Sequence, residues 1–257
     1  APAGAAARHT QMLRDALARW DGVELVDQFQ VEDALQRESA PPTLERVAAL
    51  TRRLGAGRFV RGRVTVTDGR THTQVVLYDI NGPVALLEAR APIADAVPEA
   101  TRTLESIAAQ LLLRAPGPEV DAFVRRGTAR SVPAAQAWLQ AQASLREWDL
   151  ARADAEFAAV TAAMPTDAAA HLWLAQVRAW RGRPVDTWAG AVARATAGDT
   201  ALGSRERVLR VGLQALADGD FERACRHYAQ LAQRSSGDFA AWFGLGQCRT
   251  LDRVVVR

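Results

Sequence analysis

A recurrence in the second half constrains this chain more than any other feature. The stretch "AWLQAQASLREWDLARADAEFAAVTAAMP" can be laid over "HLWLAQVRAWRGRPVDTWAGAVARATAGD", then over "VLRVGLQALADGDFERACRHYAQLAQRSS", and then over "AWFGLGQCRT". Ala153, Thr187 and Ala224 share one column, 34 and 37 positions apart, and Phe157, Ala191 and Tyr228 share the next. Gly182 and Gly219 fall between the apolar stripes, while Leu174-Ala175, Val211-Gly212 and Leu245-Gly246 mark the middle of the first helix in three copies. A small residue where two helices cross lets them approach, a ring one turn later fills the gap beside it, and a glycine ends a helix in left-handed geometry. Such a chain folds as stacked helix pairs, because one pair alone cannot bury its apolar face.

The first half has a different period. Leu13, Leu17 and Trp20 recur at helical spacing, and "VELVDQF" then alternates like a strand. Helical patterns follow at Val31 to Arg37 and at Thr43 to Leu54, the second starting on Thr43 as N-cap and stopping at Gly55. Three strand-like runs come next, Phe59 to Thr67, Thr71 to Ile80 and Val84 to Ala91, separated by "DG" and "NG". Those dipeptides favour tight hairpins because both central residues tolerate positive φ, so an antiparallel meander is expected. A last helical stripe runs through Val97, Ala100, Leu104, Ile107, Ala108 and Leu111 until "RAPGPE" breaks it. The fold expected is an α/β domain over 1–115, with a mixed sheet that includes the meander, followed by an all-α superhelix over 116–257.

The second half resembles the tetratricopeptide repeat family in about three and a half copies, most closely in "GDFERACRHY" and "AWFGLG". Its earlier copies depart from the pattern, with Trp148 in place of the turn glycine and Thr187 in place of a small alanine. The segment "LARWDGVELVDQFQVEDALQ", followed by "AALTRRLGAGRFVRGRVTVTDGRTHTQVVLYDINGPVALLEARAPI", resembles the TolB amino-terminal-like domain over about residues 9 to 113. The pairing is similar to carboxy-terminal regions of bacterial serine/threonine kinases and of winged-helix regulators. That resemblance implies a sensing or docking region, often beyond a transmembrane helix, and it places the chain on the extracytoplasmic face of a bacterial membrane, with the cytoplasm as the alternative.

Composition removes several chemistries. All 32 basic residues are arginine and Asn81 is the only asparagine, so no Walker lysine, kinase lysine or Schiff-base amine exists here. A net charge of +3 is too small for pervasive nucleic-acid binding. His9, His72, His171 and His227 show no metal-ligand spacing, and no acid–base or nucleophile motif stands out, so no catalytic residue, metal or cofactor is expected. Cys225 and Cys248 form no CxxC pair; they fall on successive helices and can approach each other, although buried free thiols are the commoner outcome. No run of 18 apolar residues occurs, so insertion of this segment in a membrane is not expected. The beginning Ala1-Pro2 and the ending "LDRVVVR" read as a processed chain or a piece of a longer one.

Two surfaces remain as candidates. Gly55-Ala56-Gly57 lies after a helix and before a strand, the reverse of a dinucleotide loop, so it reads as a helix stop. Behind it, Arg58, Arg61 and Arg63 form a possible anion or partner patch, against the plainer expectation of solvated heads or pairs with Glu88 or Asp79. In the repeats, the resemblance places Trp138, Gln142, Leu172, Gln176, Leu209 and Leu213 along the concave groove, with Trp180 one turn further. Packing between helices competes with ligand contact at each of them. Trp242, Phe243 and Leu245 on the last helix lack the second helix that would cover them, so "VVVR", a neighbouring chain or further repeats are expected to do so. The function expected is non-catalytic protein docking, through another protein, further repeats of the same parent chain or an oligomer formed by the terminal helix. The alternative is a small-ligand sensor whose walls are the arginine-bearing sheet and the segment from Arg114 to Glu119.

Overall fold

The computed structural model describes residues 3–38, 41–115, 120, 121, 123, 124 and 131–252. The chain divides into two compact units, Ala1–Val132 and Pro133–Arg257. The first holds α1 (Ala3–Ala18), α2 (Gln28–Gln36), α3 (Leu44–Arg53), β1 (Arg58–Thr67), β2 (Arg70–Asp79), β3 (Gly82–Ile93) and α4 (Val97–Leu113). The second holds α5 (Val132–Arg146), α6 (Leu150–Ala163), α7 (Ala168–Trp180), α8 (Ala189–Ala197), α9 (Ser204–Ala217), α10 (Phe221–Arg234) and α11 (Phe239–Leu251).

In the first unit the meander forms as an antiparallel sheet of order β1-β2-β3. Its first turn is the tight one that Asp68-Gly69 favours, with φ of 51° and 72°. The second turn is built differently: the Asn81 N–H donates to Asp79 Oδ1 at 2.8 Å, and the β2–β3 register shifts on either side of Tyr78. Leu104, Ile107, Ala108 and Leu111 of α4 pack with Leu13, Ala16 and Leu17 of α1, Val75 and Leu77 of β2, and Ala89 and Ile93 of β3. Thr43 caps α3 by accepting the Arg46 N–H, and Gly55 ends it at φ 77°.

The expected fourth strand, "VELVDQF", does not form among the described residues, and the sheet is antiparallel rather than mixed. Gly22 turns the chain at φ 77°, Arg14 Nη2 holds the Val26 carbonyl at 3.1 Å, and Asp27 accepts from the Gln30 N–H to start α2. The alternation is real, but its last residues are spent on a helix cap.

The second unit is entirely helical among its described residues. Neighbouring helices pack in order from α6 to α11, and α9 also touches α7 and α11, the next helices but one on either side. Asp149, Asp167, Asp220 and Asp238 cap α6, α7, α10 and α11, each accepting from backbone N–H groups in the first turn. Tyr228 is fully buried between Gly212 and Gly244: a Cβ on Gly212 would sit 3.1–3.3 Å from its ring, and one on Gly244 far closer. Gly246, in the pair that marks the middle of α11, has open space at that position. Two turns earlier in the stack, Ala153 and Phe157 are likewise fully buried, and Phe157 meets Trp138 edge to face at 5.5 Å.

The middle pair is irregular. Thr187 lies exposed in a short 3-10 turn, Val185–Thr187, and not in a helix crossing. The adjacent Trp188 is buried, its Nε1 donating to the Arg183 carbonyl at 3.2 Å, and it supplies the bulk that Ala191 lacks. The expectation of free thiols is also overturned: Cys225 and Cys248 are joined by a disulfide that ties α10 to α11.

Candidate functional site

Among the described residues, four helices end in one hydrogen-bonding motif, and one of those ends is anomalous. After α3, α7 and α9 the residue just past the helix is Gly55, Gly182 or Gly219, with φ of 77°, 66° and 76°. Each donates its N–H to the carbonyl three residues back, and the following residue donates to the carbonyl five back. After α5 the same two bonds form, Trp148 N–H to Leu145 O at 3.1 Å and Asp149 N–H to Ser144 O at 2.9 Å. Here the left-handed residue is a tryptophan at φ 60°. For a side chain of this size that conformation costs about 1–2 kcal/mol, which glycine would avoid.

The strained backbone aims the Trp148 indole at a cluster of rings. It meets Trp180, the last residue of α7, at 5.3 Å between centroids and Phe239, the first residue of α11, edge to face at 4.9 Å. Trp180 also meets Trp173, Phe239 and Phe243 at 6.3, 5.8 and 5.9 Å. These contacts join helices far apart in sequence, but they do not bury the rings: Trp148 is 46% exposed and Phe239 53%. The rings wall a cavity of about 520 Å³, inside the range of about 300–1,000 Å³ typical of ligand clefts.

One charged pair borders the rings. Arg205, at the start of α9, grips Asp238 with two hydrogen bonds, Nε to Oδ2 at 2.6 Å and Nη2 to Oδ1 at 2.8 Å. Its guanidinium carbon lies 5.8 Å from the centre of the Trp173 ring. The bonds from Arg205 hold the Asp238 carboxyl below the ordinary aspartate range, and those same bonds raise Arg205 further above its ordinary value. Asp238 Oδ1 also accepts from the Ala241 N–H at 3.3 Å, so the carboxylate is occupied on both oxygens.

The groove positions chosen from the sequence divide sharply. Leu172, Gln176, Leu209 and Leu213 are fully buried, and Trp138 and Leu245 are nearly so; all six serve helix packing. Gln176 is the unusual one, since neither amide atom has a hydrogen-bond partner. Gln142 is partly exposed. Only Trp180 and Phe243 join the ring cluster. Trp242 points elsewhere: it is 52% exposed and its Nε1 donates to the Ser236 carbonyl at 2.8 Å. The three residues of α11 expected to be bare therefore have three different environments, and the tail expected to cover them, 254–257, lies outside the described residues. Trp148, Trp173, Phe239, Arg205 and Asp238 were not expected in the site. The one signal for them in the sequence is Trp148 standing in the glycine column.

In the first unit, Arg58, Arg61 and Arg63 lie exposed on β1, a strand with no buried residue. They make no ion pair among the described residues. The partners expected for them are engaged elsewhere, Glu88 with Gln74 and Arg90, and Asp79 with the Asn81 N–H. The strand's one ring contact is Phe59 stacked on Tyr78 at 5.0 Å, across the ladder. Of the proposed linker wall, 116–119 lies outside the described residues.

Among the described residues, no group of three or more His, Cys, Asp or Glu is placed to hold a metal ion, and no helix is long and apolar enough to cross a membrane. No protein-family model matches the chain, and a search of curated proteins finds no match.

Proposed function

We propose that the helical unit is a tetratricopeptide-type docking module, and that its ring-lined groove receives a segment of another protein. The observation that carries this reading is Trp148, a large ring held half exposed at a conformational cost where the equivalent turns use glycine. Backbone strain of about 1–3 kcal/mol persists only where the surroundings impose it, and it concentrates at binding and switching sites. The glycine-seated Tyr228, the aspartate caps and the contacts of α9 with α7 and α11 support the repeat reading.

In this reading the first unit is a TolB-like companion, and the chain acts by binding, as part of a signalling protein or as an accessory subunit of a membrane-associated assembly. The Cys225–Cys248 disulfide favours the extracytoplasmic side, since such bonds persist in oxidising compartments. An array of extended peptides drawn from bacterial envelope proteins tests the docking role. Peptides bound by the wild-type protein and by Trp242→Ala, but lost with Trp148→Gly, are the expected result; no binding, or binding indifferent to Trp148, contradicts it.

A further inference from the structure

The hydrogen-bonding character of the groove selects among ligands, and this inference rests on the docking role proposed above. The side chains lining it supply donors almost exclusively. Arg205 and the indoles of Trp148 and Trp173 can only donate, while Trp180, its indole N–H buried, presents ring surface. The one carboxylate, Asp238, already accepts from Arg205 and from the Ala241 N–H, which leaves the Ser235 hydroxyl as the side-chain acceptor. The remaining lining is aromatic faces and edges, with Leu145, Ala240 and the backbone of Gly237.

A ligand suited to such a wall offers acceptors and apolar rings but few donors. Ordinary extended peptide brings one N–H for every carbonyl, and burying an unmatched N–H costs about 1–3 kcal/mol. A sugar brings hydroxyls that must donate as well as accept. Proline is the residue with a backbone carbonyl, no N–H and an apolar ring, and runs of it hold an extended left-handed helix that leaves every carbonyl outward. We infer that the groove of Trp148, Trp173, Trp180 and Phe239 binds a proline-rich segment of a partner protein. Its rings seat on the indoles, and its carbonyls accept from Arg205 and from the Trp148 and Trp173 N–H groups.

Calorimetric titration of the full chain with three probes tests this: octaproline, a glycine-serine peptide of equal length, and a linear glucose oligosaccharide. Octaproline is expected to bind at least about tenfold more tightly than the glycine-serine peptide, with a loss of about tenfold or more in Trp148→Gly and none in Trp242→Ala. A melting curve for each variant separates lost binding from lost folding. If the glycine-serine peptide binds as well as octaproline and depends on Trp148, the proline inference fails while docking stands. If neither peptide binds, or if only the oligosaccharide does, the proline inference fails, and the envelope-peptide array decides the docking role separately.

Discussion

Tyr228 and Trp148 are large rings in the same helical unit, and they are held in opposite ways. Around Tyr228 the backbone gives way to the ring: two glycines remove their side chains to seat it, and it is fully buried with its hydroxyl unpartnered. That burial pushes its phenol well above the ordinary tyrosine range, so the ring behaves as an apolar wedge. Around Trp148 the backbone is distorted to carry the ring, and the ring remains half exposed beside an open groove. Packing accounts for the first arrangement completely. It does not account for the second, which is why the second is read as a site.

The largest expected effects lie on the Tyr228 side. Gly244→Ala places a methyl group inside the Tyr228 ring's contact distance, and a loss of about 3 kcal/mol in denaturant unfolding is expected. Gly246→Ala, two residues on with open space, should instead gain up to about 1 kcal/mol from helix propensity. Equal effects from the two would show that the ring is not seated between Gly212 and Gly244. Reduction of Cys225–Cys248, or its replacement by serines, should cost about 2–4 kcal/mol, given the 23-residue separation. A thiol assay that finds both cysteines free in the native protein would remove that term.

The groove side responds more weakly and with a pH signature. Asp238 is an acid whose folded value lies below its unfolded one. Its contribution is therefore complete above pH of about 4 and is lost as pH falls through the depressed value. Asp238→Asn should cost about 1–2 kcal/mol at neutral pH, a figure reduced because Arg205 is nearly half exposed. The gap between variant and wild type should close in acid; a constant gap from neutral pH to pH of about 2 would assign the loss to packing. Smallest of all, Arg61→Ser and Arg63→Ser should change stability by less than about 0.5 kcal/mol, because both side chains are exposed and unpaired among the described residues.

What could be read from the sequence follows the same division. Periodicity, caps and turn glycines located most helices and all three strands of the meander, because those signals are local: Thr43 beside its helix, Asp68-Gly69 at its hairpin. The recurrence also placed Ala224 at a tight crossing with Tyr228 beside it and marked Leu245-Gly246 at the middle of α11, but it did not single out Gly244, since a column match cannot resolve which side of a helix turn faces the ring. "VELVDQF" misled because alternation carries no information about whether Asp27 will pair in a sheet or cap a helix. The groove was nearly invisible. Trp148, Trp180 and Phe239 come from three separate helix ends, and only tertiary packing brings them together. Positions on the first helices, such as Leu172 and Leu209, looked equally suitable and are buried.

The central claim is that Trp148 is held in place for the groove and not for the fold, and one comparison of stabilities tests it. Trp148→Gly removes ring contacts of about 0.5–1.5 kcal/mol each and relieves about 1–2 kcal/mol of backbone strain. Denaturant unfolding should therefore place the variant within about 1 kcal/mol of wild type, in contrast to the roughly 3–5 kcal/mol expected when a core ring such as Phe157 is cut to alanine. A loss of that larger size for Trp148→Gly would show that the ring is a structural wedge like Tyr228, and the reading of the groove as a docking site would fall with it.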